Sequence, residues 1–595
     1  MSAARSLGAG TWGRHTAVPT LRSLPLGVVP TFAGVAAAVA WLGFSSGGYY
    51  ATTWGPATAI AAGSACAVLT CGGRLSLARA DRALLGLLGA FVLWIAGATL
   101  RPGAATRGVP EGERAALYLA TAWALLVAVR RSGVPAALGG ALAGTLVVVC
   151  SGLVSLLLPR HVSADAFEGR LLFAPVGYAN ACGILAALGA VLALGAVAHA
   201  ASARVRAVAA AGLAPLVVGL YLSGSRGAAA AAAIGLAAAL ALDPGRRRLA
   251  ATVFVAAPLP LLAVWLAERS RVGDSQASTE LIVRNGRIVF TVVVLLGLAQ
   301  ACVVPGALAR LAPALERWGP RVLLMLTGPA VAAVALHGVG GALGDRPAYW
   351  HVALADVHAH PWLGSGPGTF AVHWLMARDA PLDVQNAHSL YLETLAELGP
   401  VGLALLVAAL AVPVVCAVRR RSSLTAVACG AYVAALVHAG LDWDWQMPVV
   451  MVTALVCGAA IVVDARPAQS VPTRGRRTLA VASALLMLAA SVEAAGNAAL
   501  ATAAREGRGS VAAARAAARW QPWSAQPQQL LGEAYLAAGD RARARRAFEE
   551  AVRLEPDEWS TWYELGRLGG LREQELALER IRRLNPLAVR RRPGG

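Results

Sequence analysis

Three side chains in this 595-residue sequence could do chemistry together. His388 lies in Asn386-Ala-His388-Ser-Leu-Tyr-Leu-Glu393-Thr-Leu-Ala-Glu397-Leu-Gly399-Pro-Val-Gly402, where Asn386 can cap a helix whose Tyr391, Leu392 and Leu395 face inward. His388 is then expected in the first turn, where the positive helix end disfavours imidazolium and leaves a neutral ring able to accept a proton. Such a histidine is either a capping or packing residue or a general base. Arg226, in Ser223-Gly-Ser-Arg226-Gly, and Arg346 are expected at outer helix ends. Either one alone can be a boundary arginine snorkelling to headgroups. Together, two rigid guanidinium forks on the side that holds a candidate base suit a diphosphate gripped bidentately without a metal. The substrate implied is a lipid pyrophosphate. Arg170 is a weaker third candidate for phosphate contact. Glu393 and Glu397, at i and i+4, read as a solvated face, with orientation of His388 or of an acceptor sugar as the alternative role.

These residues must be positioned by membrane helices. The chain is 57% hydrophobic and only 14% charged, too little polar surface to cover a water-soluble globule. Apolar segments long enough for a hydrocarbon layer of roughly 30 Å recur from about residue 26 to 495, giving about 12–15 transmembrane helices. The first apolar run lacks a cleavage site and is expected to stay as a helix. All basic residues are arginine, and they crowd into alternate turns, among them Arg74, Arg79 and Arg82; Arg130 and Arg131; Arg204 and Arg206; Arg246 to Arg248; Arg310, Arg317 and Arg321; and Arg419 to Arg421. By the positive-inside rule those turns and a basic tail, 1–25, face the cytoplasm. The net charge of +20 is then a topology signal, and a nucleic-acid partner is not expected. The opposite turns, including the long segment 340–398, fall outside. The fold class expected is an all-α polytopic membrane bundle, with helices in 26–339 and 399–495, an exterior loop at 340–398 and a soluble helical region at 496–595.

Five of the ten histidines lie in that loop, and long ordered loops often carry function. Its first half, Arg346 to His360, reads as an amphipathic helix with Trp350, Leu354 and Val357 on one face, stopped by Pro361. Gly364-Ser-Gly-Pro-Gly368 follows no strand and is no dinucleotide fingerprint; it reads as a tight turn whose N–H groups could also face an anion. His351, His358 and His360 were the histidines closest to a metal pattern, yet no zinc spacing completes them, and neither a metal nor a cofactor is expected. Asp442-Trp-Asp444 mimics the Asp-x-Asp of metal-using sugar transferases, but its flanking Trp443 and Trp445 favour an interfacial aromatic belt. The eight cysteines sit in apolar runs and indicate no disulfide framework. In the tail, Pro522 and Pro556, like Gly532 and Gly566, are 34 residues apart, the tetratricopeptide period. Leu531, Gly532, Tyr535, Ala544, Phe548 and Ala551 occupy its packing positions. The region is either a helical cap on the membrane part or a concave face for a protein partner.

The sequence resembles the bacterial O-antigen ligase and O-antigen polymerase superfamily. Its signature is a histidine followed by Asn, Ser or Gln, then nine residues, a glycine, two residues and Gly, Thr or Tyr, which His388, Ser389, Gly399 and Gly402 satisfy. Ser225-Arg226-Gly227, the stretch from Arg346 to Trp350 with His360-Pro-Trp-Leu-Gly364-Ser-Gly366, and Gly177-Tyr-Ala-Asn180 resemble further family patches. The resemblance implies a metal-independent, inverting transfer of a glycan from an undecaprenyl-diphosphate carrier to a hydroxyl of a glycan, lipid or protein acceptor, in a bacterial cytoplasmic membrane. It makes His388 the general base and Arg226 and Arg346 the holders of the departing diphosphate. The tail and the additional helices depart from the family pattern. A transporter or flippase of lipid-linked anionic glycans, or a non-catalytic envelope scaffold, is the competing class.

Overall fold

The computed structural model describes residues 28–590, apart from 72–74, 163–164, 275–276, 343, 466–467 and 507–509, and apart from the side chains of 312–342 and 590. The expected basic tail, 1–25, lies outside the described residues. Among them eleven helices are long and apolar enough to cross a membrane, and three shorter apolar helices, Val28–Phe44, Arg226–Leu242 and Ser423–Ala439, accompany them. A chain leaving water must satisfy every backbone polar group internally, which only a helix can do within one segment. Ile60, Leu93, Leu295 and Leu485 remain exposed on helix surfaces, where hydrocarbon replaces water as their neighbour. The Ala179–His199 and Pro448–Ala465 helices are instead buried almost throughout and form the centre of the bundle.

The expected break at Arg310 to Arg321 is not a turn: one helix runs without interruption over Thr279–Ala342. The helix continues through Pro305, Pro313 and the Gly319-Pro320 pair, which would ordinarily mark a turn. At the arginine-rich end of the bundle Ser76–Leu77 pairs antiparallel with Gln469–Ser470, and Arg130 clamps the buried Asp81 carboxylate through Nε and Nη2, both at 2.9 Å. At the other end the loop 340–398 folds into two helices, Arg346–Ala359 and Phe370–Ala377. The first of these buries Tyr349, Val352, Ala353 and Asp356, whereas Leu354, expected inside, is exposed. The helix is rotated because Tyr349 packs edge-on against Trp374, ring centroids 4.9 Å apart.

Helix Leu390–Arg419 breaks its own pattern at Gly399, which has a left-handed φ of 67°. The carbonyls freed by this kink are taken up from elsewhere. Ser365 N–H donates to Ala396 O (3.0 Å), Gly366 N–H to Glu397 O (2.9 Å) and Trp94 Nε1–H to Leu398 O (2.9 Å). Orphan carbonyls inside an apolar bundle cost a few kcal/mol each, so the glycine turn at 364–366 is a structural requirement of the kink.

The helix Thr473–Glu506 starts beside the arginine-rich end and finishes at the other, where Asn497 Nδ2 donates to Ala51 O (3.3 Å) and to Glu113 (3.1 Å). It thereby delivers the tail to the same end as the loop. The tail forms paired helices, Ala525–Ala537 with Arg541–Leu554 and Trp559–Leu568 with Leu571–Leu584. The repeated glycine has a packing cause: a Cβ on Gly532 would lie 2.7 Å from the Phe548 ring, and one on Gly566 2.7 Å from Ala577 Cβ. The pairs do pack on the membrane part. Val372 and Met376 of the loop meet Trp562, Ile581 and Leu584, and Arg107 Nε lies 2.7 Å from Glu555.

Candidate functional site

Asp442, in the turn after helix Ser423–Ala439, is the hub of the site. It is 1% exposed, and four donors reach its carboxylate. Tyr178 OH (2.8 Å) and the Trp443 N–H (2.7 Å) donate to Oδ1, Asn180 Nδ2 (2.7 Å) and Arg346 Nη2 (2.7 Å) to Oδ2. Burial raises its pKa, but the surrounding His438 and Arg346 charges outweigh that and hold it below the ordinary carboxylate value. Asn180, in the first turn of helix Ala179–His199, also donates to Tyr178 OH at 2.8 Å. Trp443, half-buried, lies on Tyr178 at 4.5 Å. The two tryptophans expected in an aromatic belt are half-buried and also pack inward, Trp443 on Tyr178 and Trp445 against the Arg114 guanidinium at 5.1 Å, beside the buried Asp442 and Asp444.

His388 is held just outside its helix. The helix begins at Leu390 with Ser389 as cap, not at Asn386, and His388 itself has a left-handed φ of 52°. Glu393 explains the shift: its Oε2 reaches back to accept the Ala387 N–H at 2.7 Å, tying down the strand ahead of the helix in place of an asparagine cap. A non-glycine residue in this region costs of order 1 kcal/mol and is typical of functional positions. The Nδ1 of His388 is 3.1 Å from Asn386 O. A carbonyl can only accept, so Nδ1 carries the proton and Nε2 keeps a lone pair. The ring rests on Tyr349, centroids 4.9 Å apart. Burial lowers the pKa of His388 below its ordinary 6.5, against a raising influence from Asp442. Arg346, one turn before Tyr349 on the same helix, is the cation that also bears on it.

Neither glutamate forms the solvated face expected of them. Glu393 and Glu397 are 4% and 6% exposed. Glu393 also accepts from Gln446 Nε2 at 3.3 Å, joining the His388 segment to the Asp442 turn. Glu397 accepts Gly368 N–H and Phe370 N–H, each at 2.9 Å. The N–H groups at the end of the glycine-rich turn are thus taken by this carboxyl group, supplied by the chain itself. An i, i+4 pair of acids looks exposed in sequence; only the loop folded over them buries it.

Arg226 is exposed at the start of helix Arg226–Leu242, with Ser225 accepting the Ala228 N–H at 3.2 Å as its cap, and makes no hydrogen bond or ion pair with the described residues. Its neighbour Gly227 sits against His438, whose Nε2 would be 3.4 Å from a Cβ there. His438 Nδ1 in turn is 3.1 Å from Asp444 Oδ1, so Arg226 stands at the rim of the same buried cluster. Arg170 is not brought into it; its Nε donates to Val272 O at 3.1 Å. His351, His358 and His360, which the spacing did not read as a metal set, do not converge with one another. His351 is exposed and His358 Nδ1 lies 2.6 Å from Leu354 O, while His360 turns to Asp356. Tyr178, His438 and Gln446 were not singled out from sequence, although Tyr178 lies inside the Gly177-Tyr-Ala-Asn180 patch, and Asp444 was read only as part of the Asp442-Trp-Asp444 turn. Beside the site, Leu88, Phe91, Leu406, Met451 and Leu455 line a largely apolar cleft that ends on Glu111, Arg114, Glu393 and Glu397.

The helices and the buried polar hub define a multi-pass membrane protein of all-α class with a helical-repeat tail. Residues 210–407 match the family model described as O-antigen ligase, and residues 525–568 match the one described as tetratricopeptide repeat. The two matches agree with the resemblance read from His388 to Gly402 and with the 34-residue period of the tail. The first match takes in Arg226, Arg346 and His388 and leaves out Tyr178, Asn180 and Asp442. A search of curated proteins returns no match. The matched domain supports an O-antigen ligase- or polymerase-like membrane glycosyltransferase activity.

Proposed function

We propose that the chain transfers a glycan from undecaprenyl diphosphate to an acceptor hydroxyl on the extracytoplasmic side of a bacterial cytoplasmic membrane. The observation that carries the reading is the fixed tautomer of His388. With Nδ1–H committed to Asn386 O, Nε2 accepts the acceptor's hydroxyl proton. The oxygen then attacks the anomeric carbon from the face opposite the carrier, the bond to the diphosphate breaks, and configuration inverts. Arg346, its fork oriented by Asp442, and Arg226 at the rim neutralise the departing charge in a site of low dielectric. Asp442 stabilises the imidazolium that forms, and Glu393 and Asn386 position the ring. Both Asp442 oxygens are occupied by protein donors, which suits metal-independent transfer better than an Asp-x-Asp metal site. The apolar cleft suits hydrocarbon of the carrier. The arginine-rich turns at the far end favour a cytoplasmic face there, with loop 340–398 and the tail outside. Acceptors compatible with this chemistry are glycan, lipid or protein hydroxyls, and the tail is available to a protein partner.

The test supplies labelled undecaprenyl-diphosphate oligosaccharide and acceptor to purified protein with EDTA present. Wild type is expected to release carrier diphosphate, and His388→Ala, Arg346→Ala and Arg226→Ala to lose most of that release. Release that persists in all three variants overturns the assignment.

A further inference from the structure

A second polar cluster lies where the exterior loop meets the repeat region, and the transfer chemistry does not use it. Asp356, in the last turn of helix Arg346–Ala359, is 4% exposed. Its Oδ1 is 2.8 Å from His360 Nδ1 and 3.3 Å from His373 Nε2, His373 coming from helix Phe370–Ala377. The three atoms all lie within 4.8 Å of one another. The other carboxylate oxygen, Oδ2, accepts the Ser365 hydroxyl at 2.6 Å, and Ser365 is itself 2.6 Å from Thr369 Oγ1.

We propose that Asp356 Oδ1, His360 Nδ1 and His373 Nε2 form a three-ligand site for a divalent transition cation of the zinc class, clamping the end of helix Arg346–Ala359 to helix Phe370–Ala377. Two imidazoles and one carboxylate are the borderline donor set that zinc selects over calcium or magnesium. In a tetrahedral site with bonds of about 2.0–2.2 Å, ligand atoms stand roughly 3.3 Å apart. The Asp356–His373 separation already has that value, and the Asp356–His360 one opens by about half an ångström, which the half-exposed His360 ring can accommodate. Ser365 supplies the outer hydrogen bond that orients a metal-binding carboxylate. Water completes the fourth position on the solvent side of His360.

His373, 28% exposed against 46% for His360, is the more enclosed of the two imidazoles. The charges facing it from other elements are Asp557 of the repeat region, which favours a cation, and Arg107, which opposes one. His373 shares its helix with Val372 and Met376, the residues on which Trp562 and Leu584 rest. A bound cation therefore stiffens the seat of the repeat region. This site stands whether or not the transferase reading holds.

The experiment uses tag-free, full-length protein in detergent, stripped with EDTA and dialysed. Zinc chloride is titrated calorimetrically, metal content is measured after gel filtration, and cobalt chloride provides an absorption spectrum. Wild type is expected to retain one zinc per chain and to melt higher with zinc than with EDTA. His360→Ala and His373→Ala are expected to bind about a hundred-fold more weakly, while melting like wild type in EDTA. No stoichiometric zinc in wild type, or equal retention by both variants, overturns the site. Should the variants not fold, the cobalt spectrum of wild type decides: ligand-field bands of a four- or five-coordinate ion support the site, and the spectrum of the aqueous ion overturns it.

Discussion

The Asn386 carbonyl and the Asp442 carboxylate act on His388 in different ways. In the proposed mechanism the carbonyl selects which nitrogen accepts a proton, and the carboxylate, 1% exposed, sets how readily it does so. Replacing the base with alanine should lower transfer by about 10²–10⁴-fold, the usual contribution of general-base catalysis, with donor binding nearly unchanged. Single-turnover rates with labelled donor, alongside equilibrium binding, separate the two effects. The pH dependence has a definite sign. A general base works neutral, so with His388 in that proposed role activity should rise with pH through its folded-state pKa, which burial places below 6.5. Asp442 raises that pKa; Asp442→Asn removes its charge, so the acid limb should move to still lower pH. The plateau should fall as well, because Arg346 loses the partner that orients it. A limb displaced to higher pH in Asp442→Asn would show that Asp442 does not act on His388 through its charge.

The next scale up is a joint between two elements. Gly364 and Gly399 both have φ of 67°, and each backbone lies on the other's segment. A Cβ on Gly364 would come 2.3 Å from Glu397 C and O, and one on Gly399 2.3 Å from Trp362 O. Gly364→Ala or Gly399→Ala then pays about 1–2 kcal/mol for the left-handed backbone, with a steric clash against main chain added. Thermal unfolding of either variant should begin well below wild type, with transfer lost, whereas Gly86→Ala, in a helix with open space around its Cβ, should melt like wild type or slightly higher. A Gly399→Ala protein with unchanged melting and activity would deny the joint its role. This joint also shows what could be read in advance. The spacing from His388 to Gly399 and Gly402 is local and therefore visible, as are Arg226 and Arg346 at helix ends. The burial of Glu397 depends on N–H groups 27 and 29 residues away, and that of Asp442 on Tyr178 and Asn180 more than 260 positions back. No periodicity within one helix records such partners, so both acids looked like surface. The start of the helix at Leu390 escaped for a related reason: the residue that ties down Ala387 is Glu393, downstream of the asparagine expected to cap it.

At the scale of the whole molecule the repeat region is seated on the site's own loop. One helix, Thr473–Glu506, carries the chain from the arginine-rich end to the end that holds His388. There the tail closes on two different parts of the bundle. Thr106 Oγ1 accepts the Ala525 N–H at 3.0 Å and Arg378 Nη2 donates to Asn585 Oδ1 at 3.3 Å, with Arg107 and Glu555 between them at 2.7 Å. The arginine and glutamate side chains of that pair are only 19% and 8% exposed, so it lies between the surface and buried cases. Removing one partner should cost about 1–3 kcal/mol of docking, since the other charge is left half-desolvated. Arg107→Glu sets two carboxylates face to face, and Glu555→Arg two guanidinium groups; the double exchange restores attraction. Hydrogen–deuterium exchange should therefore rise in Phe370–Ala377 and Trp559–Leu568 for each single variant and return toward wild type in the double. The exchange of the Pro448–Ala465 core should not change in any of them, because the bundle does not depend on the tail for its packing. Equal exchange in single and double variants would mean that the apolar contacts of Val372 and Trp562 hold the tail alone, and that charge has no part in its docking.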